Sequence, residues 1–341
     1  SFVYFCGKNI INTKRINFVY LLIILLSSFL LIKYGRYREF GNDLIPMLVA
    51  FYALIKITEE IFLKKNSNIL LNFFPIYLIF IFSHKISYIF SALIFLTILN
   101  FKKLNYKNLN LKILIIFLLF SFFWLSKNFI NTSCFAYPII ASCIKTTSWQ
   151  LAGLSAPESV AWLTEIWTKD FITLPDWRNT NLAEYASNFN WVNNWLNNHF
   201  IKILEKLSPI FIFLIYIFSI GLIFKEKNLS KTNESKIYLL LLFCLIGTVV
   251  WFLNAPVFRY GSFYLISSLS IFSILIYNKF FGFNKYLKLK YFHFLFIFAL
   301  VFFIGKNVNR IFKSDLNFFP NTIFQIREID KNYENYGNKE I

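Results

Sequence analysis

Long apolar runs separated by short polar ones dominate the chain. Residues 18–32 are almost wholly apolar, and 44–63 form a second run with Lys56, Glu59 and Glu60 toward one end. Residues 69–99 are apolar except at Ser83, His84 and Lys85. As one α-helix this run would be about 46 Å long, against a hydrocarbon core of roughly 30 Å. The pattern therefore predicts two short helices joined by a tight polar turn. Residues 111–125 come next, then a long polar stretch over 126–207, then apolar runs at 209–224, 237–253, 260–277 and 291–304. The runs are continuous and do not alternate, which argues against a membrane β-barrel. The expected fold is all-α: a polytopic transmembrane helical bundle of about nine spans, with a mostly helical external segment between the fifth and sixth. Four parts follow: N-terminal transmembrane helices over 1–125, an external Trp-rich segment over 126–208, C-terminal transmembrane helices over 209–305 and an external tail over 306–341.

Composition agrees with this picture. Of 341 residues, 57% are hydrophobic, 45 are Phe and only 15% are charged, against about 25% charged in soluble domains. A soluble enzyme and a disordered chain are excluded. The formal net charge is +18, which in a soluble protein would suggest nucleic acid. Position decides otherwise. Seventeen of the 35 Lys and Arg fall in five short segments on one side of the predicted spans, among them Lys64, Lys65, Lys102, Lys103, Lys225 and Lys285. Such clustering marks the cytoplasmic side. The expected location is a bacterial inner membrane, with 126–208, the loops at 33–43 and 254–259, the turn at 83–87 and the tail outside. Lys33, Arg36 and Arg38 are exceptions to the charge rule. Residues 1–15 do not read as a signal peptide, because their basic residues follow the apolar run. With Ser1 in first place, further sequence is expected ahead of it.

The outer segment holds seven of the eight Trp, counting Trp124 at its edge. Residues 156–167 read as a helix, with Pro157 and Glu158 suited to its first turn. Residues 182–200 read as a second, with Tyr185, Phe189, Val192, Trp195 and Leu196 on one apolar stripe. This helix either rests on the membrane interface, where Trp and Tyr are favoured, or forms a lid over an amphiphilic substrate. Cys134 and Cys143 lie in the same segment, and a pair in an oxidising compartment is a disulfide candidate. His84, His199 and His293 are scattered, which disfavours a zinc site.

The short outer loops hold the candidate chemistry. The loop after the first span contains Arg36, Arg38, Glu39 and Asp43. Arginine suits bidentate binding of phosphate, and Glu39 or Asp43 could serve as a catalytic general base or metal ligand. No cofactor is specified, although a divalent cation remains open. Arg259 is the one charge between the seventh and eighth spans, so it is either a ligand-binding residue or an arginine reaching to lipid headgroups. His84 and Lys85 add a third cationic element. If these loops converge, the site suits a polyanionic, lipid-attached substrate such as a polyprenyl-phosphate-linked sugar. Membrane lipids and that substrate are the expected partners, with no nucleic acid.

Three short blocks carry a resemblance. Residues 127–138, containing Asn131, Ser133, Cys134, Tyr137 and Pro138 and followed by Cys143 and Trp149, resemble a stretch of a family of uncharacterised multi-pass bacterial membrane proteins. Its pattern has a Ser-Gly-Cys-like turn, Tyr-Pro, a second Cys and a Trp. Trp251, Pro256, Arg259, Tyr260 and Gly261 are similar to a second block, and Arg38 to Asp43 to a third. Such proteins are similar in layout to C-type glycosyltransferases, which implies sugar transfer on the outer leaflet in cell-envelope polysaccharide assembly. There are two departures. C-type enzymes keep a catalytic carboxylate in their first external loop, with which Glu39 and Asp43 cannot be equated if sequence precedes Ser1. Ser133 directly precedes Cys134, so the glycine of the turn is missing. The alternatives are a transporter or flippase, disfavoured by the few ionisable residues within the spans, and a non-catalytic envelope assembly protein.

Overall fold

The computed structural model describes residues 2–12, 17–33, 44–63, 67–84, 86–97, 110–135, 142–144, 165–171, 174, 181–186, 189–223, 234–281 and 290–313. Its helices are α1 (Phe2–Asn12), α2 (Phe18–Lys33), α3 (Leu44–Leu63), α4 (Ser67–His84), a 3₁₀ helix (Ile86–Thr97), α5 (Leu111–Thr132), α6 (Leu182–Ala186), α7 (Val192–Ile223), α8 (Glu234–Asn254), α9 (Phe258–Phe281) and α10 (Lys290–Lys313). Among the described residues there is no strand beyond an isolated antiparallel bridge between Cys134 and Cys143. The protein is all-helical, and α5 and α7 to α10 each contain a stretch long and apolar enough to cross a membrane. That is fewer than the nine apolar segments of the sequence. The 16 residues of α2 rise only about 24 Å, and α3 carries Lys56, Glu59 and Glu60. These apolar helices point to a membrane-embedded chain.

The run over 69–99 breaks at the polar turn, as its length requires. Its second arm is 3₁₀ and not α. Twelve residues at about 2.0 Å rise give about 24 Å, so this short arm reaches as far as α2. Rings from both arms interlock: Phe95 meets Phe74 at 4.9 Å and Tyr77 at 5.0 Å between centroids. The Tyr77 hydroxyl is bonded to that of Ser91.

The centre of the bundle is α2, where every residue from Phe18 to Leu31 is buried. A helix apolar on all sides belongs inside. Around it pack α1, α3, α7, α9 and α10. Buried hydroxyls on α2 (Ser27, Ser28) and α9 (Ser262, Ser267, Ser270) leave these neighbours small enough for close approach. By contrast α5 has no buried residue and packs on α4. Its Leu, Ile and Phe side chains face outward, as lipid-facing residues do.

α2 runs parallel to α10, with Tyr20 beside Phe292 and Ile32 beside Lys306, and the helix ends gather at two poles. One pole holds the stacked rings of Phe18 and Phe62 and the contact of His293 with the Ile10 carbonyl. The other holds the end of α2 and the starts of α3, α7 and α9, and specific polar contacts tie it together. Pro209 within α7 has no N–H to give the Glu205 carbonyl. Lys33 Nζ donates to that oxygen at 2.7 Å, as does Ser208 Oγ at 2.7 Å. Lys306 Nζ donates to the Ile32 carbonyl at 2.9 Å, satisfying one of the oxygens that a helix C-terminus leaves without a partner.

α8 and α9 interlock through reciprocal glycines. A Cβ on Gly247 would overlap the Tyr264 ring, and one on Gly261 would overlap the Trp251 ring. Each helix thus seats one aromatic of the other against a bare backbone.

Candidate functional site

The second pole is built by the connection between α8 and α9. Trp251 Nε1 donates to the Val257 carbonyl at 2.8 Å, and Trp195 Nε1 donates to the Pro256 carbonyl at 2.7 Å. The turn after α4 is bound to the same place. Tyr88 Oη donates to the Arg259 carbonyl at 3.1 Å and Tyr264 Oη to the Ser87 carbonyl at 2.8 Å. Ser262 Oγ lies 3.3 Å from Met47 Sδ, which brings in the start of α3. Lys206 Nζ sits over the Phe258 ring at 5.0 Å.

Arg259 opens α9 with an exposed side chain. Its guanidinium lies over the Tyr260 ring at 4.8 Å and donates to Tyr260 Oη at 2.8 Å. His84 ends α4, exposed, with its ring stacked on Phe80 at 4.3 Å and Nδ1 3.0 Å from the Phe80 carbonyl. The structure thus sets Arg259 and His84 on adjoining helix ends. Arg36, Arg38, Glu39, Asp43 and Lys85 lie outside the described residues. Lys33 and Leu44, which flank the first four of them, both stand at this pole. Cys134 and Cys143 form a disulfide. Beside it, Phe135 N–H donates to the Ser142 carbonyl at 3.0 Å and Ile144 N–H to that of Ser133 at 2.9 Å. Ser133 caps α5 at φ 61°, ψ 15°. The expected glycine is therefore replaced at a left-handed position, which glycine adopts without strain.

The stretch over 182–200 departs from the single helix expected. It breaks at Phe189, whose φ is 62°, and resumes at Val192. The break divides the apolar stripe: Tyr185 and Trp195 are buried, while Phe189 and Leu196 are exposed. Of the helix expected over 156–167, residues 156–164 lie outside the described residues, and helix is present from Glu165. Buried Trp191 and Trp195 each meet the Phe252 ring of α8 at 5.2 Å. Among the described tryptophans, Trp167 is exposed and suited to a lipid interface.

Sequence reasoning missed a polar cluster held against these rings. Lys169 is buried, is ion-paired with Glu165 and has Nζ 5.2 Å from the Trp191 centroid. Asp170 Oδ2 lies 3.0 Å from His199 Nε2. The His199 ring stacks on Trp195 at 6.0 Å, and His199 itself sits in a π-helical turn, Leu196–Phe200, a feature that recurs at functional sites. Asp170 has φ 67°. Its backbone is gripped from two sides: Asn194 Nδ2 donates to the Asp170 carbonyl at 2.8 Å, and Tyr185 Oη donates to the Lys169 carbonyl at 2.7 Å. Burial raises the Tyr185 pKa above the ordinary phenol value; the Asn194 hydrogen bond opposes this rise and the Asp170 charge reinforces it. Only the Trp195–His199 spacing of four residues was visible in the sequence. The 29-residue step from Asp170 to His199 had no periodic signal.

Among the described residues no three His, Cys, Asp or Glu side chains converge as a metal site. The chemistry on hand is a carboxylate–imidazole pair, a buried ion pair, aromatic surfaces and an exposed guanidinium at one pole of the bundle.

No curated protein and no solved structure matches the chain. Residues 1–266 match a family model described as a domain of unknown function (DUF8201). The match covers more than three quarters of the sequence, and the chain belongs to that family.

Proposed function

We propose that this protein is a membrane-embedded glycosyltransferase that takes its sugar from a polyprenyl-phosphate-linked donor at the outer face of a bacterial inner membrane, in cell-envelope glycan assembly. In this reading the apolar segments make about nine spans, 126–208 is external, and the second pole faces outward. The observation that carries it is the gathering of cationic helix ends, aromatic rings and carboxylates at one pole. A lipid-linked sugar phosphate asks for these groups together: cations for the phosphate, aromatic faces for the sugar rings, and a carboxylate or imidazole to take a proton from the acceptor. The Cys134–Cys143 disulfide supports the sidedness, since such bonds persist in oxidising compartments.

The assigned roles are phosphate binding for Arg259, Arg36, Arg38, His84 and Lys85, and acid–base chemistry for Glu39 and Asp43. The test is complementation of cells deleted for the native chain. Arg259→Ala, Arg38→Ala and Asp43→Asn should each fail to restore envelope glycan while reaching normal membrane levels. Full restoration by all three would overturn the reading.

A further inference from the structure

Four helices bring a basic residue to one level of the second pole. Lys33 of α2 reaches the Glu205 carbonyl, beside Lys206 of α7. Lys206 Nζ lies over Phe258, the neighbour of Arg259 in α9. Lys306 of α10 reaches the Ile32 carbonyl, next to Lys33. Glu205 is exposed on the same turn as Lys206, so this belt carries more positive than negative charge. Each of the four cations stands at an end of an apolar stretch. In α9 the next Lys or Arg after Arg259 is Lys279, 20 residues on. An α-helix rises about 30 Å over that length, the thickness of the hydrocarbon core. Arg259 and Lys279 thus mark its two edges, where basic side chains reach phosphate while their stems stay in apolar surroundings.

α7 does not stop at this level, and neither does its apolar face. Phe200, Leu204, Phe211, Ile215 and Leu222 are all exposed. They recur at alternating four- and seven-residue spacings, which sets them on one face. The last three lie in the membrane-length apolar part of α7. Leu204 and Phe200 carry the same lipid-facing stripe past the belt. Phe200 lies about 9 Å beyond Lys206 along the helix, and the headgroup layer is about 5–8 Å deep. A lysine that reaches outward to phosphate leaves its own Cα below that layer, so Leu204 and Phe200 fall within it. We infer that Phe200 and Leu204, with the belt of Lys33, Lys206, Arg259 and Lys306, form a docking surface for the phospholipid headgroups of the adjoining leaflet. The phosphates sit at the belt, and the two apolar side chains enter the boundary between headgroups and acyl chains. Docking there fixes the depth of the bundle and sets Arg259 at the height of a lipid-attached phosphate. The inference rests on membrane embedding and is independent of the transferase reading.

The test uses the full chain in vesicles of phosphatidylethanolamine and phosphatidylglycerol. A genetically encoded nitroxide residue replaces Phe200, Leu204 or Asn193 one at a time; Asn193 is exposed, about 10 Å beyond Phe200 along α7. Oxygen, which partitions into the bilayer, should relax the label at 200 and 204 more than a water-soluble nickel chelate does, and the order should reverse at 193. Nickel access at 200 and 204 equal to that at 193 would overturn the inference. Shielding of both positions from both reagents would overturn it too, because protein would then cover the rim. A second measurement places p-benzoylphenylalanine at position 200 and identifies its photo-adducts by mass spectrometry. Phospholipid should be the adduct, and K206Q should lower the phosphatidylglycerol share about fivefold, the effect of one surface charge. If the nitroxide chains fail to accumulate, this measurement decides: no lipid adduct at 200 while the same residue at 211 gives one, or a share unchanged by K206Q, overturns the surface.

Discussion

Three non-glycine residues adopt positive φ among the described residues: Ser133, Asp170 and Phe189. Each marks a place where the chain changes direction against the preference of its own side chain. At Ser133 the left-handed cap lets its N–H reach the Phe129 carbonyl at 2.8 Å and turns the chain into the disulfide-closed loop. Glycine pays no steric cost in that conformation, so Ser133→Gly should stabilise the protein by up to about 1 kcal/mol, the lower end of the left-handed penalty. A higher melting temperature in detergent, with the disulfide intact, is the expected result. At Asp170 the same conformation is retained beside a histidine, a combination that fits a functional constraint. The resemblance identified Ser133 as a departure from pattern, and its backbone supplies the physical reason. Asp170 gave no such signal, because a single Asp in a polar stretch has no periodicity and its partner arrives through tertiary folding.

At the scale of elements, the Trp251, Pro256 and Gly261 of the second resemblance block turn out to be packing residues. Trp251 caps the Val257 carbonyl and fills the space beside Gly261, and Pro256 accepts the bond from Trp195. Arg259 is the residue of that block whose side chain is exposed. Gly261→Ala would force the Trp251 ring aside, and overpacking of this kind costs about 1–3 kcal/mol. Thermal unfolding followed by Trp fluorescence should show the loss, and an unchanged midpoint would contradict the interlock. Helix positions were legible throughout the apolar runs, since hydropathy reads length and polarity directly. Burial was not. α2 and α5 look alike in sequence, both apolar on every side, yet one is the centre of the bundle and the other its rim. Only the number of neighbouring helices distinguishes them, and no local pattern encodes that number. The 3₁₀ arm after His84 and the break at Phe189 were illegible for a related reason: both are local compromises imposed by packing on sequences with ordinary helical character.

The whole molecule is a bundle with two unlike poles. One gathers ring stacks such as Phe18 on Phe62. The other gathers Arg259, the His84 turn, the ends flanking 34–43 and the Asp170–His199 cluster. The proposed topology puts the former inside and the latter outside. A transferase, a flippase and an assembly scaffold would all use the second pole, but only a transferase makes a new covalent bond there. The decisive measurement is therefore made on the purified full chain in liposomes, supplied with polyprenyl-phosphate-linked sugars and the glycan acceptors extracted from its native cells. The account predicts that the sugar moves from lipid phosphate to acceptor, with release of free polyprenyl phosphate. Donor that remains chemically unchanged, whether it stays in place or crosses the bilayer, would contradict it.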